Sequence, residues 1–273
     1  FLPLISPTLT DNSLSVGMKG IINNSFLPID GYAFDLSVTT GNNEFAWGMK
    51  NSHNATAGVS EYQQSQFDLG TLAYDQTTVN FDVSTQRELY GILFDGDVNV
   101  AMGAEIRMEN YSIEAGEEAG YKDFGFDVLD GPNAGASAAV GCQCLPGLAP
   151  ANETDRDRQA VSLYGELSGN VSDALSLDLA LRTENYSDFG TTTNGKIAMR
   201  YEMAEGVASR GSYSTGFRAP ALQEAYFSSI ATNFIDGVPL EVGTFPVDTE
   251  AARALGAKDL EPETSNNVSL GMT

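Results

Sequence analysis

Residue types that support catalysis or metal binding are scarce in this chain of 273 residues. It has one histidine, His53, and two cysteines, Cys142 and Cys144, in the sequence GCQCLPG. A C-x-C pair without a second cluster cannot supply the four ligands of a structural zinc site, and nothing around His53 resembles a nucleophile elbow. We therefore predict no enzyme, no catalytic residue, no metal site and no cofactor. The two cysteines are either loop thiols or a local disulfide.

Positive charge is scarce as well. Lys and Arg number 14 against 37 Asp and Glu, which gives a formal net charge of −23. Such a surface repels phosphates, so we predict no nucleic-acid partner. The tract NETDRDR (152–158) suggests Ca²⁺ binding at first sight, but it lacks the glycine and the ligand spacing of a calcium loop. We interpret it as a solvated run of charges.

Long hydrophobic runs are missing too, and no stretch of 18 apolar residues exists that would predict a membrane-spanning helix. Instead, apolar and polar residues alternate along many segments. In LSLDLALR (175–182) every second residue is leucine, and VNVAMGAEIRME (98–109) alternates in the same way. This period predicts β-strands with one apolar face. At about 3.3 Å per residue the second segment spans roughly 40 Å, well beyond the usual strand of a soluble domain.

The whole chain follows this pattern. We predict nine strands, at 14–22, 31–51, 73–86, 98–114, 158–171, 174–187, 191–202, 206–216 and 264–273. Short turns alternate with mostly long loops along the chain. Because every backbone polar group must be paired inside lipid, long strands joined in this way predict an all-β, antiparallel transmembrane β-barrel.

The two faces of such strands predict opposite environments. The apolar set would meet lipid, and the polar interior would be lined by Glu105, Arg107, Asp178, Arg182, Lys196 and Arg200. Aromatic residues near strand ends predict girdles at the two membrane interfaces. These residues are Tyr111, Tyr164, Tyr186, Tyr201, Tyr213 and Phe217.

Several sequence blocks resemble a known family. YSTGFRAPALQEAY (213–226) is similar to a signature found late in the barrel of TonB-dependent outer-membrane receptors. LEPETSNNVSLGM (260–272), LRTENYSDFGTTTNGKIAMRY (181–201), FDLSVTTGNNEFAW (34–47) and VNVAMGAEIRMENYSIEAGE (98–117) resemble other strands of the same barrel. The joint presence of these blocks, in order and over nearly the whole chain, makes the resemblance specific.

The resemblance implies a role for the segment GFRAP, which we call the rim motif (Gly216, Phe217, Arg218, Ala219 and Pro220). It would close a strand at the outer rim of the barrel rather than bind a ligand. We expect Gly216 to allow a bend and Pro220, which has no N–H, to end the strand pairing. Phe217 would lie at the membrane interface and Arg218 near lipid headgroups.

The resemblance also orients the chain. It places 51–73, 114–158, 187–191 and 216–263 outside the cell and makes VSDA and EMAEG periplasmic turns. In the last loop we predict a helix over 248–260, capped by Asp248 or Thr249 and ended by Gly256. Aromatic residues of the long loops are candidates for ligand contact: Tyr121, Phe124, Phe126, Tyr226, Phe227 and Phe234.

The expected organisation is one partial barrel domain over residues 1–273, with about nine strands of a barrel of about 22, no plug domain and both ends truncated. The implied function is active uptake of a scarce ligand, an iron-siderophore, cobalamin or an oligosaccharide, across a Gram-negative outer membrane. The implied partners are outer-membrane lipid, that small-molecule or oligosaccharide ligand, and the TonB complex, reached through the missing N-terminal region. Two alternatives stay open: a passive porin-type barrel and a soluble carbohydrate-binding β-sandwich.

Overall fold

The computed structural model describes residues 2–23, 31–90, 93–236 and 238–273, with all of their side chains except those of Leu89, Tyr90, Phe234 and Pro239. Most of these residues form one antiparallel sheet. Its strands are β1 (Leu4–Ile5), β2 (Thr8–Ile21), β3 (Ala33–Lys50), β4 (Gln66–Tyr90), β5 (Asp95–Ala115), β6 (Thr154–Ser172), β7 (Leu175–Tyr186), β8 (Gly190–Ala204), β9 (Val207–Arg218) and β12 (Glu263–Met272). A separate hairpin is formed by β10 (Ser229–Ile235) and β11 (Val238–Thr244).

All nine predicted strands are confirmed, and several are longer than predicted. β4 covers 66–90 where the pattern indicated 73–86, and β2 begins at Thr8 instead of residue 14. The segment added to β2, TLTDNS, is mostly polar, and its strand conformation comes from pairing with β3. Neither β1 nor the β10–β11 hairpin is among the strands predicted from the sequence.

The strands are joined in order, each one antiparallel to the next. The sheet runs β1-β3-β4-β5-β6-β7-β8-β9-β12, and β2 pairs with the remaining length of β3. In the part of the chain that the structure describes, β2 and β12 each have a strand partner on one side only. The sheet is therefore open at these edges, as expected for part of a barrel wall.

Helices are short and lie in the connections between strands. They are α1 (Glu118–Tyr121), α2 (Leu222–Tyr226) and α3 (Glu250–Ala254), with single 3-10 turns at Ala55–Ala57 and Pro150–Asn152. α3 is shorter than the predicted helix over 248–260. Its N-cap is Thr249, whose hydroxyl accepts the Ala252 N–H, and Gly256 follows with a φ of +99°. Among the described residues, no helix has both the length and the apolar character needed to cross a membrane.

The two faces of the sheet differ as predicted. One cross-strand row joins Val16, Val38, Val79, Ile106 and Val161 in register. Val16, Val38, Ile106 and Val161 are 43% to 64% exposed, and no second sheet covers this face within the described residues. A soluble β-sandwich would bury these side chains against a second sheet, so that alternative is wrong.

The opposite face is polar. The pairing register places Glu105, Arg107, Asp178, Arg182, Lys196 and Arg200 on this face, as predicted. The aromatic girdles are only partly confirmed. Tyr201 and Tyr213 are exposed on the apolar face, but Tyr111 and Tyr186 are buried on the polar face and Tyr164 donates a hydrogen bond there to Asp82. The latter three belong to the interior because their position along the strand has the parity of the polar residues.

A charge placed on the apolar face tests its exposure to lipid. In the full-length protein, we expect Ile106→Arg to lower the free energy of unfolding in lipid vesicles by about 1–3 kcal/mol, because arginine that faces hydrocarbon loses its hydration and the cost at this depth falls between those at the interface and at the bilayer midplane. Asn80→Arg, on the polar face opposite Glu105, is the matched control and should change it little. Denaturant titration of the reconstituted protein measures both values. Equal losses in the two variants would contradict the assignment of the faces.

Candidate functional site

A cavity of about 750 Å³ opens on the polar face, at the end of the sheet where the long loops connect the strands. Residues from five neighbouring strands, from the end of β9 and from the segment after it form its wall. The side chains that line it include Phe45 and Trp47 (β3), Tyr74 (β4), Arg107, Glu109 and Tyr111 (β5), Arg158 (β6), Glu184 and Tyr186 (β7), and Phe217, Arg218 and Leu222.

Arg158 is the central side chain of this wall. Its Nε donates to Glu109 Oε2 at 2.7 Å, and its Nη1 donates to the backbone oxygen of Pro220 at 2.6 Å. Nη1 also lies 3.5 Å from Asp188 Oδ2, and the guanidinium carbon lies 5.4 Å from the Tyr186 ring centroid. The Arg158 and Glu109 side chains are each 5% exposed. The interpretation of 152–158 as a solvated run is therefore wrong for Arg158.

Glu109 has a second partner, the hydroxyl of Tyr74, which donates to its other carboxylate oxygen. Deeper on the same face, Glu105 accepts from Arg107 at 2.6 Å and from Arg182 at 3.2 Å. Arg182 also donates to Glu184 at 2.6 Å. Two sets of ion pairs thus lie at the cavity wall, one between β5 and β6 and one between β5 and β7, and each buried charge in them has an opposite charge beside it.

The rim motif begins inside β9, not after it. β9 pairs with β12 through Arg218 but with β8 only as far as Ser214. Beyond that point the Thr215 hydroxyl accepts the Gly195 N–H at 3.0 Å, and β9 then separates from β8. Pairing has ended before Pro220, as predicted. The bend at Gly216 is wrong, since Gly216 continues the strand opposite Ser265, where an added Cβ would lie 2.9 Å from the serine Oγ.

Phe217 and Arg218 also differ from their expected positions. The Phe217 ring meets the Tyr186 ring edge-on at 5.9 Å, in the cavity wall and not at the lipid interface. Arg218 donates to Glu263 at 2.7 Å and to Glu224 at 3.1 Å. These carboxylates of the protein take the place expected for lipid headgroups. Ala219 lines the cavity as well, so the rim motif forms part of its wall.

α2 follows the rim motif and covers one side of the cavity. The Glu224 carboxylate accepts the Ala221 N–H at 2.9 Å, and this bond, together with Arg218, lowers the pKa of Glu224. Leu222 is buried in a cluster with Tyr111, Ile113 and Leu148. The start of the long loop after β9 is therefore fixed to β5 by apolar packing and to β6 by the bond from Arg158 to Pro220.

The loop aromatics lie elsewhere. Phe124 stacks on Tyr62 with ring centroids 4.5 Å apart, and the Arg156 guanidinium lies 4.8 Å from the Tyr226 ring centroid. Tyr226 and Phe227 pack against the Leu222 cluster, Tyr121 ends α1, and Phe126 lies against Gly58. None of these five lines the cavity, and the side chain of Phe234 is outside the described part of the chain. Ligand contact through these residues remains a prediction.

Two of the long loops form a small core of their own above β3 and β4. Met49, Phe67, Leu69, Ala119 and Cys142 are buried together there. The Asn54 side-chain amide donates to the backbone oxygens of Ala119 and Lys122, and the Cys142 thiol donates to Ser52 Oγ at 3.1 Å. Cys142 and Cys144 are both free thiols, which decides between the two alternatives. No cluster of three or more His, Cys, Asp or Glu suited to a metal occurs among the described residues.

The family assignment rests on nearly the whole chain. The family model described as "TonB dependent receptor-like, beta-barrel" matches residues 8–273. The chain belongs to the TonB-dependent receptor family. This is a family of transport receptors of the Gram-negative outer membrane, so the apolar face meets outer-membrane lipid. Because the barrels of this membrane have short periplasmic turns and longer extracellular loops, the end of the wall that carries the cavity and the long loops is the extracellular end.

Solved structures agree with the fold of a TonB-dependent receptor. The siderophore receptor PirA from Acinetobacter baumannii matches with a TM-score of 0.58 and 15% identity, over 97% of this chain and 32% of that protein. The RagAB peptide transporter matches with a TM-score of 0.56 and 11% identity, over 99% of this chain and 28% of that one. The chain thus spans about a third of the length of these proteins. No curated protein matches the sequence.

Removing Arg158 should destabilise the barrel wall. We expect Arg158→Leu to cost about 3–5 kcal/mol in the free energy of unfolding, because it leaves the Glu109 carboxylate buried without its cation. Arg156→Leu is the matched control, since its pair with Asp248 is 48% and 43% exposed and should contribute about 1 kcal/mol or less. Denaturant titration compares the two. Similar losses would show that burial of the Glu109 pair does not matter.

The two thiols should react at very different rates. Burial raises the pKa of the Cys142 thiol and so lowers its thiolate fraction at neutral pH, whereas Cys144 is exposed. We expect N-ethylmaleimide to modify Cys144 in the native receptor and Cys142 only after denaturation, as read by peptide mass spectrometry. In the folded Cys144→Ser variant, N-ethylmaleimide should therefore leave Cys142 unmodified. Rapid labelling of Cys142 in that variant would contradict the buried position.

Proposed function

We propose that the receptor containing this chain carries a scarce ligand into the cell across the outer membrane, with energy supplied through the TonB complex. The ligand first binds at the extracellular cavity between β3–β7 and α2. The observation that carries the proposal is the family match over residues 8–273 together with this cavity, whose wall includes the rim motif.

The geometry supports a binding role for the cavity. Its wall combines aromatic rings with a few placed polar groups, which is the usual composition of a small-molecule site. The wall is also rigid, because Arg158 and Leu222 fix the segment after β9 to the strands. A passive pore needs no such fixed pocket, so energised uptake is the function that we favour over a porin.

Candidate ligands come from the sequence and from the solved relatives. An iron-siderophore, cobalamin and an oligosaccharide are the classes implied by the family resemblance. PirA is a siderophore receptor and RagAB is a peptide transporter, so a peptide joins the candidates. The partners that we propose are this ligand and the TonB complex, the latter through a region outside this chain.

Uptake by living cells tests the energised mechanism. Cells with and without the receptor gene are offered a radiolabelled ferric siderophore, cobalamin, a maltooligosaccharide and a short peptide. We expect receptor-dependent uptake of one of them, and its loss when a protonophore collapses the inner-membrane potential that drives TonB. Receptor-dependent uptake that persists in the protonophore would contradict active transport and favour the passive pore.

A further inference from the structure

The cavity wall contains one buried polar atom that no protein group satisfies. Tyr111 is 3% exposed, and its hydroxyl has no hydrogen-bond partner among the described residues. The side chain lines the cavity, next to Leu222. Buried tyrosine hydroxyls nearly always find a partner, so this one points to a polar group that enters the cavity.

The charged groups of the wall, in contrast, already have partners. Arg107 pairs with Glu105, Arg158 with Glu109, and Arg218 with Glu224 and Glu263. Glu184 accepts from Arg182, from Ser162 and from Tyr186. With Asp188 beside Arg158, the carboxylates of these pairs outnumber the guanidinium groups. An anionic ligand group would have to displace a carboxylate, and a cationic group would have to displace an arginine.

Flat apolar surfaces make up much of the remaining wall. Phe45 and Trp47 meet edge-on with centroids 5.8 Å apart, and Tyr186 and Phe217 form a second edge-on pair. Exposed ring faces of this kind pack against other flat rings. The wall therefore offers stacking surfaces and one free hydroxyl, but no unpaired charge.

We propose that the cavity binds an uncharged ring that carries hydroxyl groups, and that the Tyr111 hydroxyl forms a hydrogen bond with it. The proposal rests on the proposed function and specifies the ligand group that the site takes. A pyranose and a hydroxylated aryl ring share this chemistry. The ring belongs either to a saccharide or to the aryl part of a larger ligand.

Three probes of similar shape and different charge test the proposal on the purified full-length receptor. They are phenyl β-D-glucoside, which is neutral, phenyl β-D-glucuronide, which is anionic, and phenyl 2-amino-2-deoxy-β-D-glucoside, which is cationic. Ligand-observed NMR titration gives the affinities. We expect the neutral probe to bind about tenfold more tightly than either charged probe. Methyl β-D-glucoside and catechol, tested singly, distinguish the sugar ring from the aryl ring.

A single-atom variant tests the role of Tyr111. We expect Tyr111→Phe to weaken binding of the neutral probe about fivefold, the loss of one neutral hydrogen bond, without lowering the melting temperature of the free receptor. Tyr164→Phe is the control. It also loses a hydroxyl on the polar face, one that donates to Asp82 outside this cavity, and should leave binding unchanged.

Three results would overturn the proposal: equal or tighter binding of a charged probe, an unchanged affinity in Tyr111→Phe, or no binding of any neutral ring. None of these would touch the proposed function, because binding to purified receptor requires no energy source. Conversely, intact binding of the neutral probe with uptake that ignores the protonophore would count against energised transport alone.

Discussion

The extracellular end of this barrel wall depends on the ion pair between Arg158 and Glu109. Both side chains are almost fully buried, so each charge would be costly without the other. Glu109 joins β5 to β4 through Tyr74, and Arg158 joins β6 to the segment after β9 through the Pro220 oxygen. One pair of charges therefore connects three adjacent strands with a distant segment of the chain. Arg158 and Pro220 are 62 positions apart.

That connection explains how a long loop can start in a defined place. After Ser214 the pairing of β9 with β8 stops, and the strand alone would leave its direction open. Three further contacts fix it: the Thr215 hydroxyl on Gly195, the Arg218 pairs with Glu224 and Glu263, and Leu222 in the cluster around Tyr111. The rim motif is thus a structural junction whose inner surface also forms cavity wall. Closing the strand and shaping the site are done by the same residues.

The sequence alone predicted the strands and their two faces well, because alternation is a local signal that needs no knowledge of partners. It failed for the site, because the cavity depends on cross-strand register. The sequence predicts that Arg158 belongs to a solvated run of charges. Its burial follows from its position opposite Glu109 in the β5–β6 pairing, which the sequence alone does not reveal. Aromatic loop residues drew attention by composition, whereas the rings that line the cavity lie within strands, at positions such as Phe45 and Tyr186. The sequence does hold one signal for these strand aromatics: each lies an even number of positions from the polar, inward-facing residues of its own strand.

The same strands also set the depth of the cavity in the membrane. On the outward face, Asn42, Asp75, Asn110 and Asp157 form one cross-strand row, and two rows further down Val38, Val79, Ile106 and Val161 form another. Amides and carboxylates are costly in hydrocarbon, so the lipid boundary must lie between these two rows. On β5 the Glu109 position falls between Met108 and Asn110, at this boundary. Hence the ion pairs of Glu105 and Arg182 lie at the depth of the hydrocarbon, facing inward, while the aromatic cavity above Arg158 opens at the level where a ligand arrives from water.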